Sequence, residues 1–334
     1  MTTALITGAS GLVGSHLVER LRRNGWHLRA LVRDPTRTGW LAEQEVDLRV
    51  GDTRDAAAFR RAAEGAQFIF HCAAAITPRG GWEAFRAPNI DGTRNAIHAA
   101  EQANARLLHL SSVAVYGPDG RYALTSDGTL QEVQPLRPMP DTAWYARSKR
   151  ESEQLVMDAH RTGRIWATAV RPCVIYGPRD RQFIPRAAAL LRLPLVPRIG
   201  DGCAVFAIVH ARSVAEVAVR AVTSDVAGGR AYNVTNDPPF TVNEFYAAAE
   251  EGLGQRARWL RIPGAAAQGA MGAVGAALRA LRVPGASMLN AQSLDFVLAD
   301  NPFSSERAQR ELGWTSSVDP HAAVVEAFRG ITRG

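Results

Sequence analysis

The chain is 334 residues long and 46% apolar, with a formal charge of +7 and three widely spaced cysteines, Cys72, Cys173 and Cys203. Such values fit a packed globular protein and leave no basis for a disulfide framework or a Cys/His metal site. The arginines are scattered and no recognition motif accompanies them, so the positive balance reads as a solvated surface and excludes a nucleic-acid partner.

The chain opens on a strand-like run at residues 4–7 with no charged leader before it, which predicts a cytoplasmic setting. Helical spacing follows over 12–23, then strands at 28–32 and 48–50, a short helix around 59–63 and a strand at 68–72. A long helix is expected over 82–102, a buried strand at 107–110, and a proline- and glycine-rich surface loop over 117–141. Residues 144–162 read as helix and 165–170 as strand. This βα alternation predicts an α/β fold, a Rossmann-type doubly wound parallel sheet. After Arg171 the pattern becomes irregular and proline-rich, as expected of a smaller, mostly C-terminal substrate-binding portion. The expected division is 1–172 for the dinucleotide-binding domain, with 206–236 returning to its sheet, and 173–205 plus 237–334 for the substrate-binding and lid portion. Residues 262–278 are uncharged and near the length of a membrane span, about 20 residues. They are only weakly hydrophobic, and Arg258, Arg261, Arg279 and Arg282 flank them. A mobile apolar lid over 265–281 is expected, without stable membrane insertion.

Between the first strand and the first helix stand Gly8, Gly11 and Gly14. Glycines at this spacing permit a tight turn, close approach to a pyrophosphate and close helix–sheet packing, and the helix N-terminus offers free N–H groups to the phosphates. The turn residues Gly8, Ser10, Gly11, Leu12, Val13 and Gly14 are therefore candidates for cofactor binding. An acid at the end of the second strand would grip a ribose 2′-hydroxyl, whereas arginine accommodates a 2′-phosphate. Here Arg33 occupies that place with Arg37 close behind, so NADP(H) is preferred. Asp34 leaves NAD(H) possible.

Tyr145 and Lys149 are one helical turn apart and share a face. A phenol titrates at about 10, and a neighbouring cation lowers that value, so Tyr145 is a candidate general acid and base. Lys149 is the one lysine in a chain whose Lys+Arg total is 39. Where arginine serves every other cationic role, a retained lysine points to a need for a compact ammonium.

Together with the glycine turn and with Ser111-Ser112 ahead of Tyr116-Gly117, the Tyr–Lys pair resembles the extended short-chain dehydrogenases/reductases, also called the NAD-dependent epimerase/dehydratase family. Asp52, His71 through Ala74, Asn89, Arg171 through Pro178, and Glu311 through Trp314 extend the resemblance nearly end to end. It implies that Asp52 and Thr53 meet the adenine end and that Cys72, Ala73, Ala74 and Ser111 line the cofactor. Pro172 and Ile175 would line the nicotinamide. Ser112 would hold the substrate oxygen, and Lys149 would bind the nicotinamide ribose and tune Tyr145. It also implies a homodimer through the helices 82–102 and 144–162.

Within that family, Val113-Ala114 replace the acidic pair of the dehydratases, Ala204 through Ala207 are apolar where sugar-nucleotide enzymes place an arginine, and Arg212-Ser213 replace a further acidic pair. The resemblance is closer to the 3β-hydroxysteroid and sterol dehydrogenase-like and dihydroflavonol-reductase-like branch. It implies hydride transfer between NADP(H) and a ketone, aldehyde or secondary alcohol of an apolar small molecule. A nucleotide-sugar epimerase is the alternative. A non-catalytic dinucleotide sensor, a class that commonly loses the Tyr–Lys pair, is a more distant one.

Overall fold

The computed structural model describes residues 1–334 apart from 77–79, 118–121, 135, 237, 265, 268–297 and 333–334. Its strands are β1 (Thr3–Thr7), β2 (His27–Val32), β3 (Asp47–Val50), β4 (Phe68–His71), β5 (Arg106–Leu110), β6 (Ala167–Pro172), β7 (Val174–Tyr176), β8 (Val196–Ile199), β9 (Ile208–His210), β10 (Ala231–Val234) and β11 (Trp259–Ile262). The helices are α1 (Leu12–Arg23), α2 (Gly39–Glu43), α3 (Ala56–Ala63), α4 (Gly81–Arg86), α5 (Gly92–Ala103), α6 (Trp144–Arg161), α7 (Phe183–Leu191), α8 (Ala211–Thr223), α9 (Val242–Leu253), α10 (Glu306–Leu312) and α11 (Pro320–Thr332).

Seven parallel strands form one sheet in the order β10-β6-β5-β4-β1-β2-β3. The runs Ala4–Ile6 and Leu107–Leu108 are fully buried, as strands covered on both faces must be. Burying each leucine or isoleucine of these runs contributes about 1.5–3 kcal/mol. The strand order reverses between β1 and β4, and ligands of such sheets bind at the carboxyl ends beside that reversal.

The segment 206–222 returns to the sheet differently from expectation. Strand β9 pairs with β7, Val174 opposite Ile208 and Tyr176 opposite His210, in a separate two-stranded ladder. Its helix α8 is what covers the main sheet, packing on α1, β5 and β6. The cause lies at Pro172, which ends β6 and has no N–H to give. After it the chain bends, and Val174 N donates to Ala207 O at 3.1 Å. Strand β10 does join the main sheet, beside β6.

The helix expected over 82–102 comes in three pieces, α4, a wide π-helical turn over Ala87–Asp91, and α5. Pro88 is the reason, since its ring conflicts with the carbonyl four residues back. The wider turn absorbs that conflict and re-aims Asn89.

A second core joins α7, α9 and α11 through Phe206, Phe245 and Phe328, with Phe206 and Phe245 ring centroids 5.1 Å apart. Among the described residues no helix is long and apolar enough to cross a membrane. The lid expected over 265–281 lies, but for Ala266 and Ala267, outside the described residues.

Candidate active site

The carboxyl ends of β1, β4, β5 and β6 open onto a cavity of about 1630 Å³. Gly8, Ser10, Gly11, Leu12, Val13, Gly14, Arg33, Asp52, Thr53, Cys72, Ala73, Ala74, Ser111, Ser112, Tyr145, Lys149, Pro172 and Ile175 all line it. Arg37 stands in the short turn Pro35–Arg37, and its side chain lies outside what is described.

Sterics explain the glycine turn. Gly8 has φ +69°, and a Cβ there would stand 2.9 Å from Ala73 N. A Cβ on Gly14 would stand 2.1 Å from Gly8 O, which no neighbour can yield to because that atom is backbone. The turn closes with Gly11 N donating to Gly8 O at 2.9 Å. It leaves an uncapped α1 N-terminus facing the cavity, the arrangement that accepts a diphosphate. The cradle therefore fits a dinucleotide.

At the end of β2, Arg33 is exposed on the cavity wall. Asp34 lines the same wall, and its carboxylate accepts from Thr36 N at 3.0 Å and Thr36 Oγ1 at 2.6 Å. Asp52 pairs with Arg54 at 2.8 Å, and that hydrogen bond holds its carboxyl below the usual range.

Ser112 leaves β5 in extended conformation, and its Oγ accepts from Ala114 N at 3.2 Å, capping the turn Val113–Tyr116. The same hydroxyl lies beside the Tyr145 phenol and favours its ionised form. Burial pushes that phenol above its ordinary value, and Ser112 only partly offsets this. The Lys149 ammonium donates to Leu110 O at 2.7 Å, and it is not among the causes that set the phenol. Burial lowers Lys149 to about 8, against the opposing pull of Cys72 and Glu153.

The pair is braced from behind. Ser148 Oγ donates to Tyr145 O at 2.8 Å and accepts from Asn89 Nδ2 at 2.9 Å. Asn89 also clasps the loop after β4, with Ala75 N donating to its Oδ1 at 2.6 Å. Glu153, one turn beyond Lys149, meets Arg171 at 2.5 Å, both side chains less than a tenth exposed. Arg171 Nη1 donates to Tyr116 OH at 2.8 Å, and that hydroxyl donates to Asn233 Oδ1 at 2.8 Å. Tyr116 is thus a packing residue.

His71 and His109 lie beneath the site in register on β4 and β5. Burial lowers His71 to about 3 and His109 well below the ordinary value, so both stay neutral.

The cavity wall also carries the apolar side chains of Ile76, Tyr122, Val174, Phe183 and Phe303. Tyr122 and Phe303 ring centroids are 5.5 Å apart. Sequence reasoning did not single out Arg54, Tyr122, Phe303 or the stretch Arg179 to Phe183, all of which line the cavity. For most of these no local pattern existed, since they arrive from loops distant in the chain. For Arg54 the two-residue spacing from Asp52 was a usable signal.

A family model described as the NAD dependent epimerase/dehydratase family matches residues 4–235. The chain is 32% identical over 259 residues to a ceramide reductase of Caulobacter vibrioides, covering 77% of this chain and 73% of that protein. It is 29% identical to a 4-hydroxy-2-methyl-3-oxo-4-farnesyl-3,4-dihydroquinoline-1-oxide ketoreductase of Stigmatella aurantiaca, over 97% and 95% of the two chains. Among solved structures, a UDP-glucuronic acid 4-epimerase of Bacillus cereus in complex with NAD superposes with a TM-score of 0.74 at 18% identity, covering 99% of each chain. That last likeness is one of fold.

Proposed function

The chain belongs to the NAD dependent epimerase/dehydratase family, and from that premise we propose that it transfers hydride between NADP(H) and a ketone, aldehyde or secondary alcohol of an apolar small molecule. The observation that carries the reading is that Ser112, Tyr145 and Lys149 line the same cavity as the glycine turn. When bound, the dinucleotide supplies or accepts the hydride. Ser112 orients the substrate oxygen. Tyr145 gives that oxygen a proton in reduction, or takes one in oxidation. Lys149 holds the nicotinamide ribose. The apolar wall around Tyr122, Val174 and Phe303 suits a hydrophobic substrate, as small-molecule pockets are mostly apolar with few placed polar groups. The names of the two curated relatives, a ceramide reductase and a farnesylated-quinoline ketoreductase, support the same class.

The test is NADPH oxidation with a panel of apolar ketones and aldehydes, with UDP-sugars plus NAD⁺ as the control arm read by chromatography of the sugar products, because epimerisation consumes no dinucleotide. Turnover of UDP-sugars alone would replace the proposal with the epimerase reading, which the presence of Arg181 on the cavity wall favours.

NADP(H) is the preferred cofactor in this proposal because Arg33 is exposed on the cavity wall, where it can meet a 2′-phosphate, while the neighbouring Asp34 carboxylate accepts from Thr36. Arg33→Ala is expected to weaken NADPH binding about tenfold or more, the range of a lost charge-assisted hydrogen bond, and to leave NADH binding nearly unchanged. Fluorescence titration of both cofactors checks this, and equal or tighter NADH binding by the unmodified protein would remove the preference.

Assembly is proposed as a homodimer through α6 and the α4–α5 segment. Light scattering at micromolar protein should give twice the mass of the chain, and a monomer throughout would count against it.

A further inference from the structure

Arg179 stands in the turn from Gly177 to Asp180, closed by Asp180 N donating to Gly177 O at 3.2 Å. Pro178 follows Gly177, and Arg179 has φ +70°. A turn with proline second and positive φ third is one in which glycine is the favoured third residue. Only two other non-glycine residues among those described, Glu45 and Asn104, have positive φ. An arginine here carries backbone strain that glycine would avoid.

The side chain has a use that glycine could not supply. It reaches from the loop before α7 back to the first turns of α1. Arg179 Nε donates to Ser15 Oγ at 2.9 Å, and Nη2 meets Glu19 Oε1 at 2.8 Å. Its guanidinium also lies over the Trp40 ring, 4.7 Å from the centroid. Arg179 lines the same cavity as Gly11, Leu12, Val13 and Arg33. Asp180 fixes the loop by accepting from Gln182 N at 2.7 Å and Ile184 N at 2.9 Å, so the arm is anchored at its base.

We propose that Arg179 is a further cofactor-retaining residue, a latch across the dinucleotide cleft whose contacts with Ser15, Glu19 and Trp40 must part before the cofactor leaves. The inference rests on the dinucleotide reading of the cavity. It assigns to Arg179 the residence time of the cofactor and leaves proton transfer to Tyr145.

The latch is tested by stopped-flow release of NADPH and of NADH from the full-length protein, unmodified and as Arg179→Gly, with the melting temperature of each. Glycine removes the arm and relieves the positive φ, so the melting temperature should hold or rise. Release of both cofactors should nevertheless quicken by about ten- to hundredfold, the range one charge-assisted hydrogen bond is worth. Glu19→Gln, which keeps the arm and weakens its tether, should quicken release by a smaller factor. Release within twofold of the unmodified protein would overturn the proposal and leave Arg179 a structural tie. Acceleration confined to NADPH would overturn it too, by moving Arg179 to the 2′-phosphate. Failure of the unmodified protein to bind either cofactor would instead refute the dinucleotide reading beneath it.

Discussion

Tyr145→Phe is expected to lower turnover by about 10²–10⁴-fold, the usual worth of one general acid or base. The variant removes only the hydroxyl. The stripe of α6 that packs on the sheet, from Ala146 through Ser152 and Val156, is untouched, and so are the glycine turn and Lys149. Circular dichroism and NADPH affinity should therefore match the unmodified protein. The pH profile of reduction carries a second expectation. Burial holds the phenol above its ordinary value, so Tyr145 stays protonated and able to donate across the neutral range. Burial also holds Lys149 at about 8. A lysine with a lowered value loses its charge early as pH rises, so the rate of reduction should decline as pH passes through about 8. Near-full turnover by Tyr145→Phe on a true substrate would place the proton donor elsewhere, and a rate flat to pH 10 would deny Lys149 its part.

Arg171→Met is expected to destabilise the fold by about 3–5 kcal/mol, because it leaves the Glu153 carboxylate buried without its cation. The pair joins α6 to β6 just before Pro172, which lines the cavity, and one turn beyond Lys149. Its loss would also remove the hydrogen bond that Arg171 Nη1 donates to Tyr116 OH, leaving that hydroxyl only its bond to Asn233. The double variant Arg171→Met with Glu153→Leu should recover much of the loss, since apolar replacement of both partners is far less costly than breaking the pair. Urea denaturation of the three proteins measures this. A single variant as stable as the unmodified protein would show that water reaches the pair and screens it.

The elements read most directly from the chain were those governed by neighbours in sequence. The apolar runs at β1, β4 and β5 have one stable use, as strands covered on both faces, and they are found as strands. The break at Pro88 was legible in principle, because proline conflicts with the preceding turn whatever surrounds it. The diversion of β9 to β7 was not legible, since strand partners are chosen by tertiary packing and both ladders suit the same short apolar run.

Sequence alone determined the glycine turn, whose spacing is dictated by atoms within a few residues, such as Gly8 O against Gly14. It determined equally that Tyr145 and Lys149 share a face, because the pitch of a helix requires it. Tertiary structure alone decided how those two groups titrate. The direction of the Tyr145 shift comes from burial, and the Lys149 ammonium is claimed by Leu110 O on a strand 39 positions away. It decided also that Glu153 lies inward on α6, where sequence pattern would turn a charge to solvent, because Arg171 waits there on β6. Arg179 reaches Ser15 across 164 positions of chain. Charge, burial and reach at such distances are properties of what the fold brings together, and no local spacing encodes them.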